Sequence, residues 1–144
     1  MKVQINEGFA ETTVIIQCHD ITDEVQKLES LILSSSQKLQ CTKNHKTHLI
    51  DKRNIFYIES VDKQCFVYTQ SEAYETNLKL YELEKMLDSH GFFRNAKSQI
   101  INLAKINSLC PDFGARIEVE LENGEKAIIS RQYSKLFKER IGLV

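Results

Sequence analysis

From Leu39 onward the chain alternates short β-branched or aromatic stretches with charged turns, a two-residue rhythm that predicts strands. The expected strands are Leu39–Thr42, Thr47–Ile50, Ile55–Ser60, Cys65–Thr69, Ala73–Thr76, Phe92-Phe93, Ile100–Leu103, Ile106–Cys110, Arg116–Leu121 and Lys126–Ser130. Three stretches follow a helical period instead. Ile21, Val25, Leu28, Leu31 and Ile32, behind the acidic start Asp20-Ile21-Thr22-Asp23-Glu24, predict a helix over about Thr22–Ser34. Leu80, Leu83, Met86 and Leu87 predict a second over Leu78–Leu87, stopped by His90-Gly91. Tyr133, Leu136, Phe137 and Ile141 predict a third over about Gln132–Arg140. Ahead of the first helix, the alternation at Val3 and Ile5 and the β-branched run Thr12–Cys18 predict two more strands. Asn123-Gly124 predicts a two-residue hairpin turn, because both residues tolerate positive φ. The expected fold class is mostly β (α+β), with a small β-β-α arm over residues 1–44 and a body over residues 45–144.

Composition narrows the class. At 144 residues, with 42% hydrophobic and 27% charged, the chain supports one main core and is not disordered. No apolar run approaches the roughly 20 residues that cross a bilayer. The start, Met1-Lys2-Val3-Gln4-Ile5-Asn6-Glu7, lacks the apolar region of a signal peptide, so a cytoplasmic protein is expected. One Pro and five Gly leave no flexible linker. The four cysteines form no C-x-x-C pair and read as small hydrophobes. Net charge is −1, and its distribution is nearly even: residues 1–44 carry −2 and residues 45–144 carry +1. Any nucleic-acid surface must therefore be a local basic face.

Enzyme signatures are missing. The chain has no Gly-rich phosphate loop, no G-x-S-x-G and no H-E-x-x-H, so no catalytic residue is expected. Cys41, His45 and His48 have a metal-like spacing, but three ligands on one short hairpin without a further pair do not make a site. No metal, cofactor or small-molecule substrate is expected. His19 beside Asp20 and the Glu82/Glu84 pair read as structural surface residues.

One ordered series of blocks carries more information. It runs Ile55-Phe56-Tyr57-Ile58-Glu59-Ser60, Cys65-Phe66-Val67-Tyr68-Thr69, Leu80 to Leu87, then Phe92-Phe93-Arg94-Asn95-Ala96-Lys97-Ser98-Gln99-Ile100-Ile101-Asn102-Leu103. Ile106, Leu121-Glu122-Asn123-Gly124-Glu125 and Ile129-Ser130-Arg131-Gln132-Tyr133 complete it. This order and spacing resembles the LytTR family of bacterial DNA-binding domains, over roughly the last 95 residues. The resemblance implies an elongated, mostly β fold that inserts loops, not a recognition helix, into successive major grooves. It implies base-facing residues in three places: the turn Asp62-Lys63-Gln64-Cys65, the loop Arg94–Ser98, and the segment Ser130–Tyr133. The second loop departs from the family pattern. Where many members have His followed by Arg or Asn, this chain has Ala96-Lys97, so a base preference does not carry over.

The chemistry of the residues agrees with those places. Arg131 can offer a bidentate fork to guanine O6 and N7, and Lys97 can reach guanine or a phosphate. Lys63 and Gln64 sit on a turn that can enter a groove. Arg94, Ser98, Arg53, Lys135 and Lys138 suit phosphate, which positions without specifying. Arg94 has an internal alternative, pairing with Glu59 or Glu84. Asn102 is expected to cap or pair backbone, and Tyr57, Phe66, Phe93 and Tyr133 to belong to the core.

A phosphoacceptor receiver domain, common in this family, needs about 110–120 residues, and about 44 precede the body. Control by aspartyl phosphorylation is not expected. The arm is too small to fold alone and is expected to pack on the body or on a second copy. Family members of this build look like stand-alone regulators, often encoded beside a small membrane protein that could control them. The resulting expectation is a bacterial transcriptional regulator, not an enzyme, that binds double-stranded DNA as a homodimer. The rival is a protein-interaction module on the same fold.

Overall fold

The computed structural model describes residues 1–143, apart from the side chains of residues 34–36 and 89. It divides into two compact units, Met1–Ser36 and Gln37–Val144.

Helix α1 (Asp23–Gln37), all but its last residue in the first unit, begins where the acidic start predicts. Thr22 is its cap: the hydroxyl accepts from the Val25 N–H at 3.4 Å, and the carbonyl accepts from the Gln26 N–H at 3.0 Å. Val25, Leu28 and Ile32 form its half-buried stripe, whereas Leu31 is 67% exposed. The two strands expected before it do not form: residues 1–22 hold no strand. β-branched residues favour a pleated, half-buried surface, and without strand pairing, propensity alone does not make a strand. The expected β-β-α arm is thus an irregular segment followed by a helix.

The described residues of the second unit form ten strands. Strands β1 (Lys38–Lys43), β2 (Lys46–Asp51), β3 (Tyr57–Val61), β4 (Gln64–Tyr68), β5 (Ala73–Thr76), β6 (Phe92–Ala96) and β7 (Gln99–Asn102) form an antiparallel sheet in the order β2-β1-β5-β4-β3-β7-β6. Strands β8 (Ile106–Pro111), β9 (Ile117–Leu121) and β10 (Lys126–Ile129) form a second, three-stranded sheet. Helix α2 (Leu80–Leu87) lies between β5 and β6, and helix α3 (Arg131–Arg140) follows β10. Because β1 pairs with both β2 and β5, the sheet begins at Lys38, ahead of the 44/45 boundary expected from sequence.

The doublets Phe92-Phe93 and Ile100-Ile101 have a direct physical meaning. Successive residues of a strand point to opposite faces, so a buried doublet requires a sheet covered on both sides. Phe92, Ile100 and Ile58 pack with Leu39, Cys41 and the α2 residues Leu80, Leu83 and Leu87. Phe93 and Ile101 pack on the other face with Ile117, Val119, Leu121, Ile129 and the α3 residue Phe137. Strands β3, β7 and β6 are therefore held between two cores, which fixes the ends of these strands and the turns they carry.

The β9–β10 connection differs from the expected two-residue turn. Only Gly124 has positive φ (87°), and the Gly124 N–H donates to the Leu121 carbonyl at 2.9 Å. The Leu121 N–H in turn donates to the Glu125 carbonyl at 2.8 Å, making a three-residue loop closed by a left-handed glycine. The Asn123 side chain accepts from the Glu125 N–H at 3.1 Å, which holds Asn123 at negative φ.

Candidate nucleic-acid interface

The β3–β4 turn is Asp62-Lys63, flanked by the pair Val61 and Gln64. Both turn residues lie in the left-handed region, at φ 51° and 68°, which is the two-residue geometry that matches strand twist. Asp tolerates that conformation, but Lys holds it at a cost of about 1–2 kcal/mol. Lys63 is exposed at the tip. Gln64, expected at a base, is half-buried, and its Nε2 donates to the Thr76 carbonyl at 2.9 Å.

The β6–β7 turn is organised by a bulge. Arg94 pairs with Ile100 and Ala96 with Gln99, so Asn95 is an extra residue with no partner in the ladder. Arg94 and Asn95 point to opposite sides and both hold the turn. The Arg94 Nε donates to the Ala96 carbonyl and its NH1 to Glu84 Oε2, each at 2.8 Å, while its NH2 donates to the Lys97 carbonyl. Its side chain is only 18% exposed. Of the two roles the sequence left open for Arg94, phosphate contact or internal pairing with a glutamate, the geometry supplies the internal pair with Glu84. Lys97 and Ser98 are exposed at the tip.

Asn95 lies inside the Arg94–Ser98 loop that the resemblance marks as base-facing, but little in the sequence sets it apart from its neighbours there. Its side chain is fully buried, and its Nδ2 donates to Gln99 Oε1 at 2.7 Å and to the Ile128 carbonyl at 3.0 Å. Its Oδ1 is buried without a partner among the described residues. Because the bulge frees its backbone from the ladder, its carbonyl accepts from the Ser130 N–H at 2.8 Å. The only signal in the sequence is an amide inside a strand, where Asn is depleted.

That bond fixes the start of α3. Arg131 is the first helical residue and is exposed, and no acidic residue occupies the first turn. The positive end of the helix dipole is therefore not neutralised from within the turn. Lys135 and Lys138 follow at helical spacing on the same exposed face as Arg131. Phe137 anchors the opposite face in the core, and the Ser134 hydroxyl donates to the Ala115 carbonyl at 2.9 Å. The strand that leads into the first turn is held to the second turn as well, since the Ser60 N–H of β3 donates to the Ser98 carbonyl at 2.8 Å. Lys63, Lys97 with Ser98, and Arg131 thus come from turns that a chain of backbone and amide hydrogen bonds gathers at one end of the second unit.

Arg53 lies elsewhere along the chain, on a short 3-10 turn (Lys52–Asn54) ahead of β3, whereas the Asp62-Lys63 turn follows that strand. Its Nε and NH2 grip Asp51 at 3.1 and 2.8 Å. Hydrogen bonds from Arg53 pull the Asp51 carboxyl down to about 2. The expected phosphate ligand therefore carries a local counter-charge. The hairpin that holds Cys41, His45 and His48 shows packing chemistry. Burial pushes the Cys41 thiol up to about 11, His45 sits in the turn at φ 62°, and the His48 ring rests 5.2 Å from that of Tyr74. Among the described residues no group of three His, Cys, Asp or Glu is placed to hold a metal ion. Asn102 does what its sequence position suggested: its Nδ2 donates to the Ile55 carbonyl at 2.8 Å, and its Oδ1 caps the Ala104 N–H at 3.1 Å.

Comparison with known proteins agrees with this architecture. The LytTr DNA-binding domain family model matches residues 45–142. An uncharacterized HTH-type transcriptional regulator of Staphylococcus aureus (strain NCTC 8325 / PS 47) is 28% identical over 141 residues, covering 96% of this chain and 95% of its own length. Its counterpart in strain MW2 matches at the same identity and coverage. The solved structure of a LytTr DNA-binding domain from Bacillus cereus shares the fold, with a TM-score of 0.70 at 23% identity, covering 74% of this chain and 97% of that one. The helix-turn-helix in the relatives' names has no counterpart among the described residues here, where α2 and α3 are separated by five strands. No described helix is long and apolar enough to cross a membrane. On the match over residues 45–142, the chain belongs to the LytTR DNA-binding domain family.

Proposed function

We propose that the protein regulates transcription by binding double-stranded DNA sequence-specifically, with its turns entering successive major grooves. The observation that carries this reading is the hydrogen-bonded gathering of the Lys63, Lys97 and Arg131 turns at one end of the second unit. Arg131 is the principal base reader, through a guanidinium fork on guanine, and Lys97 and Lys63 reach base edges or phosphates beside it. Lys135, Lys138 and Ser98 hold phosphates and set the register of α3 on the duplex. Arg94 and Gln64 serve the same surface from beneath, holding the turns whose tips make contact. With a net charge of −1, non-specific attraction is weak, so affinity comes from a matched site and from pairing of two copies on a repeated site. Exposure of Val14 (63%), Ile15 (79%) and Leu31 (67%) in the first unit supports such a homodimer.

A second reading, a module that binds a protein instead of DNA, is favoured by the near-neutral charge and by Ala96-Lys97 in place of the commoner residues. One experiment separates the two: binding to the duplex upstream of the protein's own gene, against a scrambled duplex, at two salt concentrations. Tight binding to the native duplex alone, weakening steeply with salt, supports the regulator. Absent binding to both duplexes, or equal binding that salt does not weaken, supports the protein-binding module.

A further inference from the structure

We infer that Asn95 is a positioning residue for sequence discrimination, and that it couples the Lys97 turn to Arg131 so that the two read DNA as one unit. The inference rests on the DNA-binding function proposed above and goes beyond it, since Asn95 is buried and touches no base itself.

Three features of Asn95 converge. The bulge takes it out of the β6–β7 ladder, leaving its carbonyl free for the Ser130 N–H at 2.8 Å, one residue before Arg131. Its Nδ2 reaches across to the Ile128 carbonyl at 3.0 Å, so both ends of the β10-to-α3 corner are tied to a single residue. The same Nδ2 donates to Gln99 Oε1 at 2.7 Å, at the far side of the turn that carries Lys97 and Ser98. No other residue type supplies this set at this size. Asp lacks the donor, Ser is too short to span both acceptors, and Gln adds a methylene to a fully buried site. The protein keeps this arrangement although Asn95 Oδ1 is buried without a partner among the described residues, an unfavourable feature that a purely apolar corner would avoid.

A base contact needs its side chain held in a narrow geometry, whereas a phosphate contact tolerates a shift. Losing the Asn95 tie should therefore affect discrimination more than affinity for random DNA. The test uses the full chain and a duplex selected by the unaltered protein from a random pool. Binding is measured to that duplex and to copies with single base changes, for Asn95→Ser, Arg131→Ala and the double variant. Asn95→Ser is expected to lower discrimination about tenfold, the scale of one or two lost hydrogen bonds, with affinity for random duplex within about twofold. In the Arg131→Ala background the same change should lower it no further, because the residue it positions is gone. Hydrogen exchange of the Ser130 amide, read on the same samples, should speed up in Asn95→Ser. If that variant unfolds, Gln99→Ala replaces it, since it removes one partner of Asn95 at a half-buried position. Gln99→Ala is then expected to show the same selective loss.

Equal loss on selected and random DNA, or additive effects in the double variant, would overturn the coupling. Failure of the unaltered protein to select any sequence would instead overturn the proposed function, and the coupling with it.

Discussion

Arg94→Ala separates a scaffold from a phosphate contact, because the two roles predict opposite pairs of results. In the structure the guanidinium makes two hydrogen bonds of 2.8 Å, to the Ala96 carbonyl and Glu84, and a third to the Lys97 carbonyl. Hydrogen bonds involving a charged group contribute about 1.5–3 kcal/mol each when shielded from water. The pair with Glu84 counts for less, since that carboxylate is 44% exposed and solvent screens it. The two carbonyls lie near the surface and can take water in place of Arg94. Truncation should therefore cost about 2 kcal/mol of stability, lowering the melting temperature by roughly 8 °C. It should also loosen the Lys97 turn and weaken specific DNA binding about tenfold. The slope of log affinity against log salt should stay the same, because no phosphate contact is lost. Urea unfolding and DNA titration at several salt concentrations give both quantities. A slope shallower by about 0.9 with unchanged stability is the signature of a lost phosphate contact and would refute the scaffold role.

Two further substitutions test other parts of the account. Lys63→Gly removes a side chain from a left-handed position (φ 68°), so stability should hold or rise by about 1 kcal/mol while specific DNA affinity falls. Urea melts and titrations check this, and a destabilised variant would contradict the turn geometry. Asp51→Asn addresses pH. Hydrogen bonds from Arg53 hold the folded-state carboxyl at about 2, below its ordinary 3.8, so the unfolded chain binds more protons between those values. The stabilisation from Asp51 is thus present above about pH 4 and lost as pH falls toward 2. The asparagine variant should show a flatter acid limb, with the same pH dependence above about pH 5, in unfolding followed by circular dichroism.

The strands of the second unit were legible because their apolar positions answer to two buried faces. Ile100-Ile101 and Phe92-Phe93 read as strand in any register, and both doublets are split between the two cores. Thr12–Cys18 has the same β-branched composition but forms no strand, because composition without a pairing partner does not make one. Turn positions were legible from charge and from Asn, Asp and Gly. Turn geometry was less so: the left-handed Lys63 and the three-residue loop at Gly124 depend on backbone pairing that composition does not encode. For the candidate interface, the sequence named the tips, Lys63, Lys97 and Arg131. The supports were harder to see. Arg94 and Gln64 are polar residues that could face either way, and Asn95 matters only because a bulge places two residues opposite one.

The most direct test of the central claim is protection of guanine N7, the major-groove atom that an arginine fork contacts, in a duplex bound by the full chain. The account predicts protected guanines in two successive major grooves, about one helical turn apart, and loss of protection at one position in each half-site for Arg131→Ala. Protection confined to minor-groove positions, or a pattern that Arg131→Ala leaves unchanged, would contradict it.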